Sequence, residues 1–136
     1  MKYISTRDNT KEYNFEQVFI KGLADDGGLY VPKTLKKFSA EELIKLKNLN
    51  YNALSTEIIS LFSEDFISKE ELSSLINKSY STFREKEVVK ISNVGEMKLL
   101  ELFHGPTLAF KDVAMQFIGN LYEYYLKKND KKINIV

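Results

Sequence analysis

Leu102-Phe103-His104-Gly105-Pro106-Thr107-Leu108-Ala109-Phe110-Lys111-Asp112 joins a strand-like run to a long helical pattern, and the reading of the fold turns on that junction. Upstream, Glu87-Val88-Val89-Lys90-Ile91-Ser92 and Lys98-Leu99-Leu100-Glu101-Leu102-Phe103 read as two strands around Asn93-Val94-Gly95-Glu96, a hairpin turn signal. Downstream, the spacing predicts a helix from Ala109 to Lys127, a polar break at Lys128-Asn129-Asp130-Lys131-Lys132, and a further strand at Ile133-Asn134-Ile135-Val136. Strand, helix and strand in that order make a βαβ unit, normally a right-handed crossover between parallel strands.

On a wheel of about 100° per residue, Asp112, Gln116, Asn120, Glu123 and Lys127 share a narrow polar sector. Phe110, Val113, Ala114, Phe117, Ile118, Leu121, Tyr124 and Tyr125 fill the opposite side, and Met115, Tyr122 and Leu126 widen it beyond the roughly 100° stripe of a surface helix. Such a helix is expected to be largely buried in its parent fold. Lys111 falls inside the apolar sector, between Ile118 and Tyr122. One reading has its side chain snorkel past the helix end. The other makes it an amine kept neutral by burial for covalent chemistry with a carbonyl. A free lysine is only about one part in a thousand neutral near pH 7.4, and a helix dipole offsets only about 0.3 to 1 kcal/mol of that. Burial or another positive charge must supply the rest.

The first 85 residues have a different texture, a short edge strand at Tyr3-Ile4-Ser5-Thr6 followed by small helices. Asn14-Phe15-Glu16-Gln17 opens one that carries Val18 and Phe19 and stops at Gly22. Gly27-Gly28 makes a turn into Leu29-Tyr30-Val31, closed by Pro32. Capping boxes at Ser39-Ala40-Glu41-Glu42 and Ser68-Lys69-Glu70-Glu71 start two more helices, and Leu54, Ile58, Ile59, Leu61 and Phe62 repeat at helical spacing between them. Taken alone, this half reads as a scaffold without chemistry of its own.

Composition narrows the function. The 136 residues carry 20 Lys plus Arg against 19 Asp plus Glu, a balance that gives no basic surface for nucleic acid or membrane. The absence of cysteine excludes disulfides, Cys-zinc sites and thiol catalysis, and a single histidine, His104, leaves no His cluster for a metal. No apolar run follows the N-terminus or approaches the ~18 residues of a membrane span. A soluble, cytoplasmic protein is expected. GxGxxG, GxxxxGK[ST], HExxH and GxSxG are all absent. Gly27-Gly28 is turn chemistry, and Asp25-Asp26, without a third ligand nearby, reads as a solvated loop in preference to a general base or metal site. His104 is expected to make a structural hydrogen bond before it is expected to orient a substrate.

The run from Leu102 to Asp112 closely resembles the cofactor-lysine segment of threonine synthases, pyridoxal-phosphate enzymes of fold type II. Tyr3-Ile4-Ser5-Thr6-Arg7 and Gly22-Leu23-Ala24-Asp25-Asp26-Gly27-Gly28-Leu29-Tyr30-Val31-Pro32 resemble the opening of the same family, so the likeness spans essentially the whole chain. The resemblance implies a lyase that converts O-phospho-L-homoserine and water to L-threonine and phosphate, with pyridoxal 5'-phosphate as cofactor. Lys111 would be its Schiff-base lysine, both the catalytic and the cofactor-binding residue, with no metal. Phe110 and Asp112 match as flanks of the motif and carry no implied catalytic role.

The expected architecture is an α/β fragment. Residues 1–85 would form a small, mostly helical N-terminal domain with a short β element, and residues 86–136 a hairpin and the first βαβ unit of a fold type II cofactor domain. Two features suggest an N-terminal portion of a longer protein: the final run is apolar, and one βαβ unit cannot cover both faces of a parallel sheet. The family's phosphate-holding loop is missing, so the isolated chain is expected to be inactive, and its uncovered edge and helix face would favour self-association. Two alternatives stay open: another fold type II enzyme acting on a different amino acid, and a non-catalytic assembly module that keeps the scaffold.

Overall fold

A computed structural model of the chain describes residues 1–134. Among them the elements run β1 (Tyr3–Ser5), α1 (Phe15–Lys21), β2 (Tyr30–Pro32), α2 (Ala40–Lys47), α3 (Tyr51–Ser63), α4 (Lys69–Tyr80), β3 (Lys90–Val94), β4 (Met97–Glu101) and α5 (Asp112–Asn129). They divide into two compact units. One comprises Met1–Leu49 and Ala53–Leu72; the other comprises Asn50–Asn52 and the chain from Ser73 onward.

In the first unit, helix starts follow local chemistry. Asn14 Oδ1 accepts from the Gln17 amide while the Gln17 side chain accepts from the Asn14 amide, both at 2.9 Å. Ser39 and Glu42 repeat this reciprocal bonding ahead of α2, and Ser68 and Glu71 ahead of α4. Each pair satisfies backbone donors that the first turn of a helix leaves without partners. β1 pairs antiparallel with β2, Ile4 opposite Val31. Tyr3 donates its hydroxyl to the Phe62 carbonyl at 2.9 Å, and the rings of Tyr3, Phe19 and Phe66 pack around Phe15. Gly28 is required by close approach: a Cβ there would run into Ser5 Oγ and lie 2.9 Å from Asp26 Oδ1.

The second unit packs the C-terminal half of α4 against α5. Tyr80 donates to the Val113 carbonyl at 2.9 Å, Asn120 Nδ2 donates to Ser79 Oγ at 3.0 Å, and Lys78 pairs with Glu123 at 2.7 Å. Glu123 also takes Lys127, and the hydrogen bonds from Lys127 and Lys78 push its carboxyl down to about 2. Ile76, Tyr80, Val88, Phe117, Leu121 and Tyr125 are the buried apolar side chains of this unit. On α5 the fully covered stripe is Phe117, Leu121 and Tyr125, at i, i+4 spacing, and Met115 lies outside it with more than half its surface exposed.

Four sequence expectations shift here. The first hairpin strand starts at Lys90, three residues after Glu87, because Val88 adopts φ 62° and is 1% exposed, filling the core instead of joining the ladder. A β-branched residue at positive φ is strained, and burial of its side chain offsets that. The turn is the two residues Gly95-Glu96, with Val94 opposite Met97 and Ile91 opposite Leu100. Helix α5 begins at Asp112, three residues after Ala109, because residues 109–111 form a turn. Ile133 and Asn134 carry no strand pairing, and the rest of the expected last strand, Ile135 and Val136, lies outside the described residues. The described fold is thus a small α/β chain of five helices and two two-stranded sheets.

The hairpin buries neither of its faces. Leu99 and Leu100 are neighbours on a strand and so point to opposite sides, yet both are about half exposed, as are Ile91 and Val94. No helix among the described residues is long and apolar enough to cross a membrane.

Candidate functional site

Strand β4 delivers Glu101 to the entrance of the 102–111 connection, where the carboxylate accepts from the Ser92 hydroxyl of β3 and pairs with His104 Nε2 at 2.8 Å. These contacts, Ser92 first, hold the Glu101 carboxyl below the usual glutamate range. The His104 carbonyl accepts the Arg84 amide at 2.9 Å. His104 therefore makes the structural hydrogen bond expected of it.

The far end of the connection folds back on the start of α5. Asp112 accepts the Thr107 amide on Oδ2 at 2.7 Å and the Thr107 hydroxyl on Oδ1 at 2.8 Å, with Gln116 Nε2 at 3.4 Å from Oδ1. Gly105 lies against this carboxylate so closely that an added Cβ would collide with Asp112 Cβ and sit 2.7 Å from its Cγ. Leu108 is held at φ 64° between the two. Gly105→Ala is expected to destabilise the second unit by about 1 to 3 kcal/mol through overpacking, read as a lower urea midpoint. A midpoint equal to that of the parent would mean the loop yields without cost.

Asp112 is buried, 3% exposed, although the helical wheel puts it on the polar face. Burial pushes its carboxyl up, but the Thr107 amide and hydroxyl, Gln116 and the Leu108 amide outweigh that and hold it below the ordinary aspartate value. A carboxyl depressed in the folded state contributes stability above its unfolded pKa, near 3.9, and loses it as pH falls through the folded value. Acidification below about pH 4 is therefore expected to open the 105–112 loop, with faster exchange of the Thr107 amide. Asp112→Asn should remove that pH dependence. An amide whose protection is flat from neutrality to pH 2 would contradict the assignment.

Lys111 stands between these anchors as the residue preceding α5, with helical backbone angles (φ −63°, ψ −22°) and an exposed side chain. This corrects its expected place within a buried apolar sector: the helix buries the Phe117, Leu121 and Tyr125 stripe, while the side that Lys111 shares with Met115, one turn on, is exposed. Phe110 is likewise 64% exposed. The amides of Asp112, Val113, Ala114 and Met115 donate to the carbonyls of Ala109, Phe110, Lys111 and Lys111. With those donors engaged, the start of α5 has none to spare for an anion.

The aspartates of the N-terminal turn serve structure. Asp26 Oδ1 accepts the Ser5 hydroxyl at 2.8 Å and the Gly28 amide at 2.7 Å, and Asp25 pairs with Lys21. Asp26 is thus bound into its turn and is not simply solvated. Among the described residues no group of three His, Asp or Glu side chains is placed to hold a metal. The sequence places Asp112 only on a polar helix face and as a motif flank, and gives Thr107 and Glu101 no role. The usable signal was a Gly-Pro-Thr turn five residues ahead of an acid at a helix start, and an acid three residues ahead of the lone histidine.

The sequence profile described as "Threonine synthase N terminus" matches residues 2–80. Threonine synthase of Schizosaccharomyces pombe is 41% identical over 135 residues, covering 97% of this chain and 26% of its own length. That of Pseudomonas aeruginosa is 39% identical, covering 100% of this chain and 29% of its own. The crystal structure of PLP-bound threonine synthase from Brucella melitensis superposes with a TM-score of 0.91 at 35% identity, over 97% of this chain and 29% of that one. The chain thus spans little more than a quarter of the length of the relatives it matches.

Proposed function

The chain belongs to the family of threonine synthase N termini, and from that premise we propose that it supplies the cofactor lysine, Lys111, to an enzyme converting O-phospho-L-homoserine and water to L-threonine and phosphate. The observation that carries this is Lys111 itself. It is an exposed primary amine on a connection anchored at both ends, in a chain that aligns along almost all of its length with threonine synthases.

The side chain fits pyridoxal phosphate by its chemistry, since an accessible amine can engage the cofactor's carbonyl carbon. When bound, the cofactor supplies an electron sink for deprotonation next to the amino group. Lys111 would hold it through Nζ, and the same amine, when not bonded to the cofactor, would be the group that moves protons at the substrate's α and β carbons. The anchored loop fixes where Nζ starts from. The cofactor phosphate requires donors other than the amides at the start of α5, which are already engaged.

In this reading residues 1–85 are the N-terminal domain and residues 86–136 open the cofactor domain, with the hairpin and α5 as the start of its first βαβ unit. The hairpin's exposed leucines and isoleucine on both faces support it, since apolar side chains on two sides of a sheet are surface that further elements would cover. The enzyme is a cytoplasmic one of amino-acid biosynthesis. The isolated 136 residues are expected to release no phosphate from O-phospho-L-homoserine above the level of a blank; multiple turnovers by the isolated chain would contradict this. The intact enzyme is assayed with O-phospho-L-homoserine against serine, threonine and phosphoserine. Threonine and phosphate from the first substrate alone support the proposal. Preference for another amino acid assigns a different fold type II reaction, and failure to form a borohydride-reducible adduct with pyridoxal phosphate assigns an assembly role.

A further inference from the structure

We propose that Asp112 is a positioning residue for the Lys111 amine, acting through a clamp on Thr107; this rests on the reading of Lys111 as the cofactor lysine. Three observations converge on it. First, the Asp112 carboxylate is spent on the loop: one oxygen takes the Thr107 amide and the other takes the Thr107 hydroxyl, with Gln116 beside it. It is buried and held anionic by those donors. A carboxylate so engaged is poorly placed to take a proton from a ligand, so its effect passes through the backbone. Second, the clamp over-determines the turn it closes. Leu108 occupies the left-handed region at φ 64°, its amide donates to the Gly105 carbonyl at 3.2 Å, and Gly105 has no room for a side chain against Asp112. A strained residue persists where its surroundings enforce it, and such places cluster at functional loops.

Third, Lys111 is caught between the clamp and the helix. Its carbonyl accepts the Ala114 and Met115 amides at 3.1 and 2.8 Å, while the next residue is the clamping aspartate. The backbone from which the amine extends is therefore fixed on both sides, and the side chain, exposed, is free to reach a carbonyl. Presenting a reactive group in one place is worth a large rate factor, since a misplacement of about 1 Å can cost about 100-fold. Glu101 and His104 brace the other end of the same connection.

The test uses the intact enzyme and, in it, the variants Asp112→Ala, Thr107→Val and Thr107→Ser, with two measurements. Hydrogen exchange at Ala114 and Met115 reads the hold on the Lys111 backbone. Borohydride reduction in excess pyridoxal phosphate, followed by peptide mapping, reads modification of Lys111 relative to Lys90, an exposed lysine of the hairpin. Asp112→Ala and Thr107→Val are expected to speed exchange at Ala114 and Met115 about tenfold or more, with Leu121 and Tyr125 unchanged, and to lower the Lys111 to Lys90 ratio severalfold to about tenfold, within the range that misplacement allows. Thr107→Ser, which keeps the hydroxyl, should match the parent in both. If Asp112→Ala does not fold, Thr107→Val decides. Unchanged exchange at Ala114 and Met115 overturns the clamp. Faster exchange with an unchanged modification ratio overturns the positioning role. A parent ratio near one, with exchange responding as expected, locates the failure in the cofactor-lysine reading and removes the proposal with it.

Discussion

Lys111→Ala is expected to abolish the borohydride-reducible pyridoxal phosphate adduct of the intact enzyme and to lower threonine formation by a factor of about 100 to 10,000 from lost proton transfer alone. Lost covalent anchoring adds to that. The change removes an exposed side chain at the residue preceding α5, where no side-chain cap is made, so stability should stay within about 0.5 kcal/mol of the parent. The two readouts separate chemistry from folding: an unchanged thermal midpoint with no adduct and no turnover is the expected pattern. Full activity in the variant would exclude Lys111 as the catalytic amine. Lys111→Arg should behave like the alanine variant, because a guanidinium keeps its charge and forms no imine.

Ile76→Ala is expected to lower the stability of the second unit by about 2 to 5 kcal/mol. Ile76 is fully buried on the face of α4 whose neighbours Ser79 and Tyr80 bond to Asn120 and Val113 of α5. The loss combines the transfer free energy of the deleted groups with a cavity that relaxes only in part. Such a loss is a large share of the stability of any small domain. Tyr80 and Tyr125 sit in this unit and the chain has no tryptophan, so near-ultraviolet tyrosine circular dichroism in urea follows the transition. Ser74→Ala, on the exposed side of the same helix, is the control and should shift stability by no more than about 0.5 kcal/mol. A change below about 1 kcal/mol for Ile76→Ala would mean that the site collapses on truncation and that α4 does not anchor the unit.

These two changes bear differently on the lysine loop. Loss of Ile76 loosens the helix pair that carries α5, whereas loss of Lys111 leaves that pair intact. If Ile76→Ala also accelerates exchange at Ala114 and Met115, the clamp and the helix packing are coupled; retained protection there would show that the Thr107 and Asp112 bonds hold the loop by themselves.

Capping boxes at Asn14, Ser39 and Ser68 were readable because each is a bond between a side chain and a backbone amide three residues away. The Gly95 turn and the stop at Gly22 are local in the same sense. Contacts that close over distance were not readable. Val88 looked like a strand residue until burial turned it inward, and Asp112 looked solvent-facing on a wheel that counts only helical neighbours. The wheel also misplaced Lys111, since a wheel cannot tell which part of a wide apolar arc other elements cover: Phe117, Leu121 and Tyr125 are buried, whereas Met115, one turn after Lys111, stays exposed.

Local chemistry in the sequence thus determined where most helices begin, where the hairpin turns, and which lysine stands in a family-like motif. Tertiary structure decided that this lysine is exposed, that its neighbouring aspartate is buried, and that Gly105 has no alternative. The physical reason is range. A cap or a turn is settled by groups within four residues of each other, whereas burial depends on which distant surfaces meet, as when Tyr80 reaches Val113 across 33 positions of sequence.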